Sequence, residues 1–307
     1  RVQFWRQPES GIANLYFNES WIPEGGGAVA EEVLSFAQQV EFRRALSLGI
    51  ERDQINEVFF LSIGETTGLC RGFDDPNNPG KYYGEDDVVL NAAKGNEILD
   101  GLGLDKKDGD GFRLMPSGER LSLPITAIVA AFEDYPGISE MVAEHWKDNL
   151  GVHATVQSLE RSLAGERDVA NQVLIDIWES SGRDAVLITP QHLLAVAGGG
   201  NPDRLGMEWF DSGGTAGREP VFSYIREQQN LYTEGISTSD ANRYLEIAQR
   251  VVEINCEMVN PITTVMNKPT YTSIIKRNVH NIPNPLPFSY HAQTSGNGFP
   301  ETWWLDD

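Results

Sequence analysis

Hydrophobic positions along the chain switch period repeatedly. Positions 2–5 and 14–17 read as strands, with Gly11 as a turn between them. Gly25-Gly26-Gly27 is a flexible break. From Val40 the spacing becomes helical. Phe42, Ala45, Leu46, Gly49 and Ile50 recur at three and four, with Glu41, Arg43 and Arg44 opposite. Asp53 is placed to cap a second helix, whose apolar face is Ile55, Val58 and Phe59. A polar loop at 74–80 precedes a helix predicted over 85–100, with Val88, Val89, Ala92, Ile98 and Leu99 on one side. Gly101 and Gly103 end it. Leu121, Leu123 and Ile125 then alternate as a strand. The pattern predicts a helix over 137–150, a strand over 152–156, a short helix over 158–168 and a buried strand over 173–178. A short strand at 185–189 and a glycine-rich loop at 197–203 follow. Helices over 219–232 and 239–257 and strands over 262–266 and 271–275 complete the pattern. Pro283, Pro285 and Pro287 keep the tail extended. Strands alternating with helices predict an α/β sheet with helices on its faces.

Charge narrows the partners. Lys and Arg total 24 against 45 Asp and Glu, a net charge of −21. Such a surface repels phosphate backbones and anionic lipid, so nucleic acid is not an expected partner. No run approaches the ~18–20 apolar residues of a membrane span. Cys70 and Cys256 are too few for a disulfide framework and form no C-x-x-C pair. Two free thiols are the expectation, with a single bridge between them left open. The chain opens at Arg1 without a signal-like segment, as a processed product or an excised domain would.

Catalytic motifs are absent. There is no G-x-S-x-G, H-E-x-x-H, Walker loop or G-x-G-x-x-G, and the five histidines stand apart. No catalytic residue, metal or cofactor is therefore expected. Asp108-Gly109-Asp110-Gly111 invites a calcium-loop reading, with Glu119 at position twelve. Phe112 and Arg113 occupy positions that need a ligand and a glycine, so a polar hairpin turn is the reading. Aromatic residues are more informative. Trp178 ends the buried strand and is followed by Glu179-Ser180-Ser181. In α/β sheets ligands sit outside the carboxyl ends of strands, where a Trp can stack and Glu and Ser can hydrogen-bond. Trp209, read as set in a loop, is a second candidate.

The segment Glu41-Phe42-Arg43-Arg44-Ala45-Leu46-Ser47-Leu48-Gly49-Ile50-Glu51-Arg52-Asp53-Gln54-Ile55-Asn56 resembles a signature of the family 5 extracellular solute-binding proteins. These are the peptide-, nickel- and oligosaccharide-binding subunits of ABC importers. Leu15-Tyr16-Phe17-Asn18, the helix from Ala92 to Leu104, and the run from Asp108 to Arg113 with Ser117-Gly118-Glu119 are similar to further family motifs. So are Val152-His153-Ala154-Thr155-Val156 and Val279-His280-Asn281-Ile282-Pro283. The ordered set spans essentially the whole chain.

The resemblance implies a periplasmic-binding-protein type II-like lobe, a mixed sheet flanked by helices. It covers only the C-terminal lobe of a two-lobed clamshell. Residues 1–20 would be hinge-proximal strands, 21–285 the lobe, and 286–307 a tail returning toward the other lobe. It also implies an extracytoplasmic protein, periplasmic or lipid-anchored, with signal and anchor outside this chain. That protein would be monomeric and work with ABC permease subunits. Peptide-binding relatives place an Asp three residues after the strand's Trp to receive the peptide's amino terminus. Here Ser181 stands at that place. The expected ligand is thus an oligosaccharide or an oligopeptide, contacted by Trp178, Glu179, Ser181 and Trp209. The alternatives are a glycoside-acting enzyme using Glu179, or a sensory or structural domain on the same fold.

Overall fold

The computed structural model describes residues 2–6, 13–23, 25–66, 88–180, 186–198, 202–266, 269–284 and 296–306. Five strands form one mixed sheet in the order β4 (His153–Leu159), β3 (Ser122–Ile128), β5 (Ile175–Trp178), β2 (Asn14–Phe17), β6 (Ile262–Thr263). β3 runs parallel to β4 and β5, and β2 runs antiparallel to β5 and β6. β1 (Val2–Arg6) stands outside this sheet and pairs antiparallel with β7 (Pro269–Ile274). Near the end of the chain β8 (Val279–His280) pairs with β9 (Trp304–Leu305), where His280 stacks on Trp304 at 4.2 Å.

Two crossovers decide which helix covers which face. α5 (Tyr135–Leu150) carries the chain outward from β3 to β4, and α6 (Arg161–Val169) carries it back across β3 to β5. Right-handed crossovers in opposite directions put the two helices on opposite faces. On the α5 side, Tyr135, Ile138, Val142 and Trp146 pack with Leu15, Phe17, Ile125 and Ile177 into the main core. α2 (Val40–Leu48) adds Phe42, Ala45 and Leu46 to it. On the other side, Tyr16 joins Leu193, Leu194 and α9 (Ala241–Glu257) in a second cluster.

Local chemistry sets the helix ends. The Asp134 carboxylate accepts from the Gly137 N–H at 3.1 Å, and Gly151 at φ 68° closes α5. Asp240 caps α9, and Asp203 caps α7 (Arg204–Asp211). The Asp108 carboxylate accepts from the N–H groups of Asp110 and Phe112 and pairs with Arg120 at 2.6 Å. It is committed to the turn, as the hairpin reading expects.

Several sequence expectations are corrected. α1 (Ala28–Ala37) begins directly after the triple glycine and was not foreseen. α3 (Arg52–Phe60) has Asp53 in its first turn rather than at its cap, and Val58 is exposed while Phe60 is buried. α4 (Ala92–Gly101) starts at the Asn91 cap, so Val88 and Val89 precede it. Arg43 is 1% exposed rather than on a polar face. Its guanidinium donates to the Ala37 and Met258 carbonyls and pairs with Glu19 at 2.9 Å. α6 starts at Arg161, because β4 extends to Leu159. Positions 186–189 form a turn and bend instead of a strand. α8 (Ser223–Gly235) is preceded by α7, where the sequence suggested only loop. Cys256 is disulfide-bonded, which overturns the expectation of two free thiols. Cys70 and the polar loop at 74–80 lie outside the described residues.

Candidate ligand-binding site

Strand alternation divides the sheet's residues between two environments. Ile175 and Ile177 enter the main core, so Asp176 faces the α6 side, and Trp178, at the strand's end, packs against both clusters. Parallel register sets Thr126 beside Asp176. Antiparallel register sets Tyr16 beside Asp176 and Asn14 beside Trp178. A cavity of about 440 Å³ opens on this side. Thr126, Ile128, Asp176 and Trp178 form its floor, at the carboxyl ends of β3 and β5. Arg161, Gly165 and Asp168 of α6 form one wall, and His192 and Gly198 contribute to another.

Both walls are anchored. Arg204 at the start of α7 pairs with Asp168 at 3.0 Å. Asp211 at the end of α7 accepts from the N–H groups of Ala197 and Gly198 at 2.9 and 2.8 Å. The Glu179 carbonyl accepts from the Tyr16 hydroxyl at 3.2 Å, and His192 Nδ1 lies 2.7 Å from it. That pair of contacts fixes the chain direction just after Trp178.

The Trp178 ring is half-buried in an aromatic group, 5.2 Å from Tyr135 and 5.6 Å from Phe132. The Arg161 guanidinium lies 5.1 Å from the Trp178 ring and 5.6 Å from the Phe132 ring. Such a contact contributes roughly 0.5–1 kcal/mol at an exposed site. A flat apolar ligand face seeking Trp178 therefore meets Arg161 first. Phe132 is 63% exposed at the rim.

Electrostatics in the cavity are unusual for a surface so acidic. Burial, then the charge of Asp168, pushes the Asp176 carboxyl up to about 7. Burial also raises Asp168, against the pull of Arg204. The Tyr16 hydroxyl is raised well above its ordinary value, by burial first and then by Asp176.

Of the sequence candidates, Trp178 lines this cavity, and Glu179, next in the chain, is not among the described residues that line it. Ser181 lies outside the described residues. Trp209 sits on α7 rather than in a loop, half-buried against the turn that follows, where the Gly214 N–H donates to its carbonyl at 2.8 Å. It is not among the described residues that line the cavity. Arg161, Asp168, Asp176 and His192 were missed. Asp176 did carry a signal, as a lone charge inside the apolar run Val173-Leu174-Ile175-Asp176-Ile177-Trp178. The other three are polar residues on helices or turns, and only folding brings them to one place.

The geometry can be set beside known proteins. Residues 1–185 match the model of a family described as bacterial extracellular solute-binding proteins, family 5, middle. Among solved structures, the chain is similar to an oligopeptide-binding protein, OppA, with a TM-score of 0.82 and 25% identity. That match covers 100% of this chain and 48% of the other. It is similar in fold to the periplasmic binding protein MelB of Agrobacterium fabrum C58, solved with stachyose (TM-score 0.67, 16% identity, covering 92% and 41%). It is also similar in fold to the oligopeptide-binding protein AppA of Bacillus subtilis, solved with a nonapeptide (TM-score 0.59, 15% identity, covering 100% and 53%). The chain spans about half the length of these proteins. No curated protein sequence matches it significantly.

Proposed function

The chain belongs to the bacterial extracellular solute-binding proteins of family 5, and from that membership we infer that it supplies one lobe of an ABC importer's solute receptor. The carrying observation is the cavity at the carboxyl ends of β3 and β5, with Trp178 in its floor. The lobe captures an oligosaccharide or an oligopeptide against a second lobe. The solute's binding free energy drives closure about a hinge instead of chemistry. Solved proteins of similar fold carry stachyose in one case and a nonapeptide in another. The β1–β7 ribbon, separate from the five-stranded sheet, is the segment we assign to the hinge. β2, by contrast, pairs within the five-stranded sheet, and its Leu15 and Phe17 are fully buried. Its partners are ABC permease subunits, and it acts as an extracytoplasmic monomer. The disulfide-bonded Cys256 accords with an oxidising compartment.

A thermal-shift screen of the full-length protein against oligosaccharides, peptides and Ni²⁺ tests this reading. A bound solute stabilises the fold by RT ln(1 + [L]/Kd). The expected result is a rise in Tm with one oligosaccharide or peptide class, weakened in Trp178→Ala. No shift with any solute would overturn the reading, and a shift indifferent to Trp178→Ala would remove the cavity from it. The lobe alone offers half the contacts, so micromolar binding by this chain in isolation would contradict the clamshell mechanism.

A further inference from the structure

The cavity floor holds a charge that its surroundings do not balance. Asp176 faces the cavity between Thr126 and Tyr16. Among the described residues, the influences on its carboxyl are burial, the like charge of Asp168 and the Ile177 N–H, with no cation among them. Asp168 is different, because Arg204 pairs with it from outside the cavity at 3.0 Å. Arg161 lines the same cavity but lies over the Trp178 and Phe132 rings at its mouth. A buried carboxylate without a counter-charge is costly, and folded proteins normally pair such groups. The free space beside it, about 440 Å³, suits a small-molecule group.

We propose that this cavity receives a primary ammonium group of the transported solute, with the Asp176 carboxylate as its counter-charge and the Thr126 hydroxyl and Trp178 ring beside it. The inference rests on the solute-binding reading above and narrows its substrate class. Arg161 at the mouth repels a second cation, which selects a solute carrying one ammonium group over a polycation. The source of that group is an amino sugar or a lysine-containing peptide, and both offer the same chemistry to Asp176.

Isothermal titration of the full-length protein separates the outcomes. One pair of probes is an N-acetylated alanine–lysine–alanine peptide and its lysine-to-glutamine counterpart. The other pair is a glucosamine disaccharide and its fully N-acetylated counterpart. Three variants accompany them. Asp176→Asn removes the charge at nearly constant shape. Gly165→Lys tethers an ammonium to the cavity wall, and Gly165→Gln is its neutral control. A Cβ at Gly165 meets nothing within 4 Å, and a helix tolerates Lys or Gln better than Gly, so these two variants keep the fold.

The expected result is binding of one ammonium probe, about tenfold or more weakened by Asp176→Asn, and weakened more by Gly165→Lys than by its neutral control Gly165→Gln. Peptide or sugar binding identifies the source. Ammonium-probe binding indifferent to Asp176→Asn and Gly165→Lys overturns the proposal. Neutral counterparts binding as tightly as ammonium probes, or binding where those are silent, overturn it too, and leave the solute-binding reading standing. Silence from every probe here and every solute in the thermal screen removes both.

Discussion

The two faces of the five-stranded sheet are made by the same strands and have opposite character. Toward α5, Leu15, Phe17, Ile125, Ala127, Ile175 and Ile177 are fully buried and apolar. Toward α6 the intervening residues are Asn14, Tyr16, Thr126, Asp176 and Trp178, carrying hydroxyls, an amide, a carboxylate and a ring nitrogen. The first face gains free energy by excluding water. The second keeps a cavity and a costly carboxylate. The candidate binding cavity sits where folding free energy has been forgone, and the first face offsets the loss.

The largest expected effect breaks the stable face. Phe17→Ala leaves a void in the main core and should cost about 4 kcal/mol. Urea unfolding of the lobe checks it, and a loss under 1 kcal/mol would show that the core collapses around the gap. A loss of solute affinity parallel to this loss of stability is not expected.

The second effect is a gain. The folded-state pKa of Asp176, about 7, lies above its ordinary 3.8. The folded protein therefore holds this proton more tightly than the unfolded chain. Stability is fully present below about pH 4 and falls as pH rises through 7. Asp176→Asn should raise stability by about 2 kcal/mol at pH 8 without solute, and change little at pH 4. Thermal melts across that range read it. Asp168 and Arg161 from α6 and His192 also line this cavity, and the buried Tyr16 hydroxyl of β2 feels the Asp176 charge. Glu19, raised by burial from 4.5 to about 7 despite Arg43, contributes the same sign of dependence. The variant should flatten the profile without levelling it. An unchanged profile would place Asp176 in water.

Smaller effects sharpen the contrast. Asp211→Ala removes the acceptor for the Ala197 and Gly198 N–H groups and should cost about 1 kcal/mol. Faster hydrogen exchange at those two amides is the specific readout, and unaltered exchange would mean that the wall is held elsewhere. Trp209→Phe should change solute affinity by less than about 0.5 kcal/mol. A larger loss would bring α7 into the binding surface.

Much of the main core was legible beforehand. Alternation located β3 and β4, three-and-four spacing located α2, and the pattern also placed β2, β5, α5 and α9. The misses have physical causes. α1 follows a triple glycine that looks like a break, yet Gly27 at φ 115° turns the chain directly into a helix. Arg43 was assigned to solvent because a guanidinium usually lies there. Its burial depends on carbonyls at Ala37 and Met258 and a carboxylate at Glu19. Trp209 looked like loop because its helix is short.

The sequence by itself determined the class of sheet and the family, because those depend on local periodicity or on ordered motifs. It also marked Trp178 as the end of a strand. The tertiary structure alone decided that no cation among the described residues lies beside Asp176, that Arg204 pairs with Asp168, and that Arg161 lies over Trp178. Strand period two specifies which residues share a face, but it does not specify what packs against that face. Here a helix returning from β4 and a turn near His192 cover it incompletely, and the cavity is the space they leave.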